Sequence, residues 1–210
     1  VSMTAIWAVK SLGIDPATGE EIFLNKDGKR TNSWSAADMV ICGDELPDFS
    51  GNFGFNYTWK GLSLNCVFRY QFGGQMYNQT LVDLVENADL NYNVDKRVYD
   101  GRWRNPGDIK PYKALKYVNV QKPGTNEWES KMIKTQATSR FVQDRNELTL
   151  SSVNLSYDMM NHDFINKIGL QVLRFSFYMN DVYTWSSIRV ERGTSYPFAR
   201  SFNFSLSATF

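Results

Sequence analysis

From Ser201 to Phe210 the sequence alternates at every residue. Phe202, Phe204, Leu206, Ala208 and Phe210 fall on one side, and Ser201, Asn203, Ser205, Ser207 and Thr209 on the other. A period of two is the mark of a strand with one oily face and one wetted face. In a soluble protein the oily face meets a second sheet; in an outer-membrane barrel it meets lipid. Which of those two environments covers it governs every other inference from this chain.

Four further stretches carry the same pattern. Phe49 to Lys60 sets Phe49, Phe53, Phe55, Tyr57 and Trp59 against Ser50, Asn52, Asn56, Thr58 and Lys60. Leu62 to Gly73 sets Leu62, Leu64, Cys66, Phe68, Tyr70 and Phe72 against Ser63, Asn65, Arg69 and Gln71. In Leu148 to Met159, Val153, Leu155, Tyr157 and Met159 oppose Ser152, Asn154, Ser156 and Asp158. In Leu170 to Asn180, Leu173, Phe175, Phe177 and Met179 oppose Arg174, Ser176, Tyr178 and Asn180. Strands of soluble domains average about 5 or 6 residues. These runs approach the ~9–11 residues of a tilted membrane strand.

The connections alternate in length. Lys60-Gly61 is a tight hairpin, Gly74 to Glu147 is very long, Asn161 to Gly169 is short, and Asp181 to Arg200 is longer again. Short periplasmic turns and extended outer loops give that rhythm. Strand parity then places Phe210 at the periplasmic rim. Single-chain bacterial barrels have about 8 strands or more, so five cannot close. The expected fold is all-β: the C-terminal strands of a large transmembrane antiparallel barrel with long extracellular loops. Before Phe49, Met3 to Leu12 is expected to end an earlier strand. Asp15 to Pro47 is expected to form an outer loop with a small hairpin around Ile22 to Leu24. Leu81, Leu84, Val85 and Ala88 predict a short helix in Leu81 to Tyr99.

Composition excludes several classes. A net charge of +1 leaves no electrostatic footprint for nucleic acid. A mean hydropathy of -0.41 suits a soluble protein, but barrels share it because their lumens and loops are polar. No run of apolar residues reaches the ~18 needed for a membrane helix. Aromatics at 15% fit the girdles of a barrel. Cys42 and Cys66 are too few and too distant for a disulfide framework. His162 is the only histidine. It reads as a solvated turn residue, since Asn161 and Asp163 beside it do not make a triad. No metal-ligand spacing and no phosphate loop occurs. The segment at Val1 lacks the basic and apolar regions of a signal peptide, so earlier parts of such a barrel are expected to lie outside this chain.

The chain resembles the C-terminal end of the SusC/RagA family of TonB-linked outer-membrane transporters. The matching residues are Ser11-Leu12-Gly13-Ile14-Asp15-Pro16-Ala17-Thr18-Gly19-Glu20-Glu21-Ile22-Phe23, and Gly43-Asp44 with Pro47 before Phe49-Ser50-Gly51. Tyr70-Gln71-Phe72-Gly73-Gly74-Gln75-Met76-Tyr77-Asn78 and Arg102-Trp103 with Pro106-Gly107-Asp108 match as well. So do the strand around Leu148 to Tyr157, Lys167-Ile168-Gly169-Leu170, Tyr196-Pro197 and Arg200-Ser201-Phe202. The resemblance implies a barrel of about 22 strands, with residues 1–210 as its C-terminal part and with a plug and TonB-contacting segment outside this chain. It implies import of a complex nutrient, an oligosaccharide first and a peptide as the alternative. The implied partners are a SusD-like surface lipoprotein, the TonB complex and outer-membrane lipid. No cofactor and no enzymatic activity are implied.

Candidate residues follow from that frame. Trp103, Arg104, Tyr183, Trp185, Arg189 and Tyr196 are candidate outer-loop contacts to ligand or lipoprotein. For Tyr183 and Trp185 the outer aromatic girdle is the preferred reading, and for Trp103 loop packing is the plain one. Arg69, Gln71, Asn154, Asp158 and Arg174 are candidate lumen or plug contacts. A simple Arg174–Asp158 ion pair weighs equally for the arginine. Phe202, Phe204, Leu206 and Phe210 form the C-terminal assembly signal that the resemblance implies. A soluble carbohydrate-binding β-sandwich, an outer-membrane hydrolase and a receptor for metal chelates are the rivals.

Overall fold

Alternating residues become strand throughout the computed structural model, which describes residues 2–121, 128–160, 165, 167, 169–189 and 201–210. In chain order the strands are β1 (Ala5–Ile14), β2 (Glu21–Leu24), β3 (Arg30–Thr31), β4 (Met39–Asp44), β5 (Phe49–Trp59), β6 (Leu62–Tyr77), β7 (Tyr117–Gln121), β8 (Trp128–Met132), β9 (Val142–Met160), β10 (Val172–Ser186) and β11 (Phe202–Thr209). Helix is confined to short pieces, among them α1 (Gln79–Leu81), continued by a π-helical turn over Val82–Glu86, and α2 (Lys96–Asp100). The described residues fall into two units. Residues 2–46 and 75–144 form the first, and 47–74, 145–189 and 201–210 the second.

The second unit carries a five-stranded sheet in the order β11-β10-β9-β6-β5. β5–β6, β9–β10 and β10–β11 are antiparallel. Lys60 and Gly61 join β5 to β6 with φ of 46° and 85°. Two successive positive φ values make the two-residue turn whose twist matches a hairpin, and glycine adopts the second at no steric cost. The strands outrun their expected ends. β6 continues to Tyr77, β9 begins at Val142, and β10 continues to Ser186 instead of stopping at Asn180. Tyr183 and Trp185 are therefore strand residues, not loop residues.

The extension of β10 passes through a ladder irregularity. Asn180 pairs with Ser152, but the next pair is Tyr183 with Leu150. The sequence shows why. The apolar residues of β9 change phase between Val153 and Leu150, while those of β10 stay on odd positions from Met179 to Tyr183 and Trp185. Asp181, at the irregularity, has φ 46°. Gln71, in the polar row of β6, donates to Glu147 at 2.6 Å, and Ser186, the cross-strand partner of Glu147, donates to it at 3.2 Å. Glu147 thus lies on the polar side. By alternation Leu148 and Leu150, with their partners Trp185 and Tyr183, return to the apolar side.

The first unit holds the buried core. Its four-stranded sheet has the order β3-β2-β1-β4. Met3 to Leu12 therefore does not end a strand of the larger sheet: β1 pairs with β2 and β4. The hairpin around Ile22 to Leu24 is β2 with β3, and Asp15 to Pro47 further contains β4. Leu81, Val82, Val85, Ala88, Val98 and Phe141 are buried together, with Tyr77, Leu84 and Tyr112 packed against them. The helix expected over Leu81 to Tyr99 is shorter than its apolar spacing suggests. Asn78 caps its start by accepting from the Leu81 N–H at 3.0 Å. The Asn87 N–H reaches Val82 O at 2.7 Å, which widens the turn and buries Val82, Val85 and Glu86.

Candidate functional site

The apolar side of the five-stranded sheet is continuous across strands. Phe53 stacks on Phe68 with ring centroids 5.0 Å apart. Tyr157 pairs with Phe175 and Leu155 with Phe177, which in turn pair with Leu206 and Phe204. Met179 pairs with Phe202. Among the described residues nothing covers this side: Phe175, Leu206 and Phe204 are 45%, 64% and 75% exposed. Tyr183 and Trp185 extend it, their rings edge-to-face at 4.8 Å. Phe210 stands one residue past β11 and is exposed.

The other side is polar and partly self-paired. Arg174 Nη2 donates to Asp158 Oδ2 at 2.6 Å, across directly paired residues of β10 and β9. Asn154, beside Tyr178 on the same ladder, is exposed. Gln71 is held with Arg145 and Ser186 on Glu147. Arg69, opposite Asn52, is exposed and has no carboxylate partner among the described residues.

In the first unit, ring and turn are fitted to one another. Trp103 Nε1 donates to Pro16 O at 2.8 Å, and its ring lies over Gly19. Trp103 therefore packs against the Asp15–Gly19 turn, as loop packing requires. A Cβ at Gly19 would sit 2.3 Å from that ring, at φ 70°. Gly19→Ala is expected to destabilise this unit by about 1–3 kcal/mol, seen as faster proteolysis of the 15–20 turn in the whole protein. Arg104 lies with its guanidinium 3.4 Å from the centroid of Tyr99 and donates to Tyr99 O at 2.6 Å. It is exposed and lines a shallow polar hollow with Asp108 and Lys110. Arg189 is exposed and follows the end of β10. Tyr196 and His162 lie outside the described residues.

The residues that sequence reasoning missed are the buried charges. Arg140 Nη2 donates to Glu21 Oε2 at 2.9 Å and to Glu86 Oε1 at 2.7 Å. Glu21 is 3% exposed at its side chain and Glu86 is fully buried. Burial opposes the charge on Arg140, but the hydrogen bonds to Glu21 and then to Glu86 outweigh it and hold its pKa above the ordinary range. Arg102, 5% exposed, donates to the carbonyls of Val98, Lys113 and Glu86 at 3.3, 2.8 and 3.0 Å. These two arginines tie β2, the π-helical turn and the 111–113 segment together. The one sequence hint was Glu86, a carboxylate that follows the apolar Leu84-Val85. A second feature of this unit is a groove of about 400 Å³ that includes Trp34, Lys113 and Lys134. No group of three or more metal-ligating side chains occurs among the described residues.

No family model matches the chain. Two proteins of Formosa agariphila are similar to it: TonB-dependent receptor P39, 28% identical over 172 residues, and TonB-dependent receptor P3, 29% identical over 164. The matches cover 80% and 78% of this chain but only 15% and 14% of those relatives. Among solved structures, the RagAB peptide transporter aligns with a TM-score of 0.63 at 21% identity, over 88% of this chain and 19% of that one. The RagAB peptide importer in the open-open state aligns with a TM-score of 0.64 at 20% identity, over the same shares. The chain is thus similar to SusC/RagA-type TonB-dependent transporters over a small part of their length.

Proposed function

We propose that residues 1–210 supply C-terminal wall and outer loops to a TonB-dependent importer in the outer membrane. The carrying observation is the open aromatic side of the five-stranded sheet, in a chain whose relatives are named TonB-dependent receptors. Lipid tails are the solvent such a surface fits. A soluble sandwich would bury Phe175 and Phe204 under a second sheet, and both are exposed.

In this reading the polar side faces the lumen of a barrel of about 22 strands. Arg69, Gln71, Asn154, Asp158 and Arg174 stand toward plug or cargo there, with Arg174 spoken for by Asp158. Tyr183 and Trp185 serve the outer girdle. Arg104, Arg189 and Tyr196 are the outer contacts, Trp103 holds the Asp15–Gly19 turn, and Phe202, Phe204, Leu206 and Phe210 guide assembly. The transporter carries an oligosaccharide, works with a SusD-like lipoprotein and is energised through the TonB complex. The RagAB neighbours are named peptide importers, which keeps a peptide as the second reading. No step of covalent chemistry is assigned to this chain.

Deleting the gene, or the host's TonB, is expected to abolish growth on one complex polymer while growth on its monomer continues. The native protein is expected to leave membranes only with detergent. Release by salt alone, or polymer growth independent of TonB, would overturn the assignment.

A further inference from the structure

We propose that the groove in the first unit binds an acidic saccharide, its ring against Trp34 and its carboxylate between Lys113 and Lys134. The proposal rests on the importer reading above. The groove, about 400 Å³, has the size of a small-ligand site. Its charges do not cancel internally. Glu20 is engaged by Lys116 and by Asn32. Glu21 is engaged by Arg140. Lys113 and Lys134 line the same groove, and Lys113 feels Glu86 and Glu21 only at long range, with burial the larger influence on it. An anionic group is what two ammonium groups lining one groove recruit, through charge-assisted hydrogen bonds. Lys113 is half-buried, so burial lowers its pKa, and Glu86 and Glu21 work the other way. A ligand carboxylate would relieve that cost.

The remaining lining selects the ligand class. The indole N–H of Trp34 is already spent on Ala137 O at 3.1 Å, so the ring is fixed and what it still offers is its π-surface. Side-chain amides and a hydroxyl, on Asn32, Gln136 and Ser33, suit sugar hydroxyls. A peptide is read most directly by adding a strand to an open sheet edge. The strand in this lining, β2, already has β1 and β3 on its two sides. The observations therefore favour a sugar acid over a peptide.

The test uses the whole transporter in detergent, titrated with trigalacturonate, with neutral galactotriose and with a short Asp/Glu peptide, read by tryptophan fluorescence. Trigalacturonate is expected to bind at least about tenfold more tightly than the neutral sugar. The double variant Lys113→Gln/Lys134→Gln should erase that preference, the two sugars then binding with equal affinity. Trp34→Ala should weaken both sugars, and Trp34→Phe should restore most of the loss. Absent trigalacturonate binding, equal affinity for the two sugars, tighter binding of the peptide, or a preference that survives the double variant would each overturn the proposal. TonB-dependent growth on a polymer would still stand in all of those cases, so loss of the groove and loss of the importer reading are separable.

Discussion

Arg140→Ala is expected to destabilise the first unit by about 3–5 kcal/mol, the range for stripping one partner from a buried ion pair. The size follows from what is left behind. Glu21 and Glu86 would remain in a dry setting without the guanidinium that neutralises both. Glu86 would keep Thr135 Oγ1, at 3.2 Å, but no cation of comparable geometry. Hydrogen exchange in β2 and over Val82–Glu86 is the measurement, because Arg140 is bonded to a carboxylate in each of those segments. Protection should collapse in both together. Arg140→Lys should recover part of it, since a point charge replaces the bidentate fork. Unchanged exchange in the two segments would mean that the packing of Phe141 and Val85 holds the unit and that the triad is incidental.

The second large effect concerns the apolar side of the sheet. Phe177→Arg is expected to cost about 2–4 kcal/mol of barrel stability, the value for a cation facing the middle of the bilayer. Its neighbour Ser176→Arg, on the opposite side of the same strand, is expected to fall within about 0.5 kcal/mol. Phe177 pairs with Leu155 and Phe204, so it sits mid-sheet with apolar neighbours on both flanks. Folded barrel in isolated outer membranes, read as the heat-modifiable band on a gel, separates the two variants. Equal damage from both would show that the two sides of the strand meet similar surroundings, which lipid on one side and water on the other does not allow.

The sequence made the five-stranded sheet legible because period two is a local property, carried within each strand by residues such as Phe202, Phe204 and Leu206. It made the upper ends of β9 and β10 much harder to see. There the phase changes between Leu150 and Val153, and strict alternation reads as having stopped. Pattern also misled at Met3 to Leu12: an apolar run shows that a strand is present but not which sheet it joins, and here its partners are β2 and β4. The buried triad was out of reach, since Arg140 meets carboxylates 119 and 54 positions away. Nothing local distinguishes that arginine from exposed ones such as Arg104. Trp103 was visible as a residue of interest, but its work as a wedge against Gly19 needed the turn to be folded first.

Among the described residues, β5 and β11 each have one strand beside them in their sheet. Their outward amides and carbonyls form two unfinished margins, and a bare margin recruits any extended backbone that comes near. Expressed as a separate piece in water, this segment should therefore grow by end-to-end copying of itself into insoluble polymer. On its way through an aqueous compartment, it would need an escort that caps both margins until neighbouring ribbons arrive.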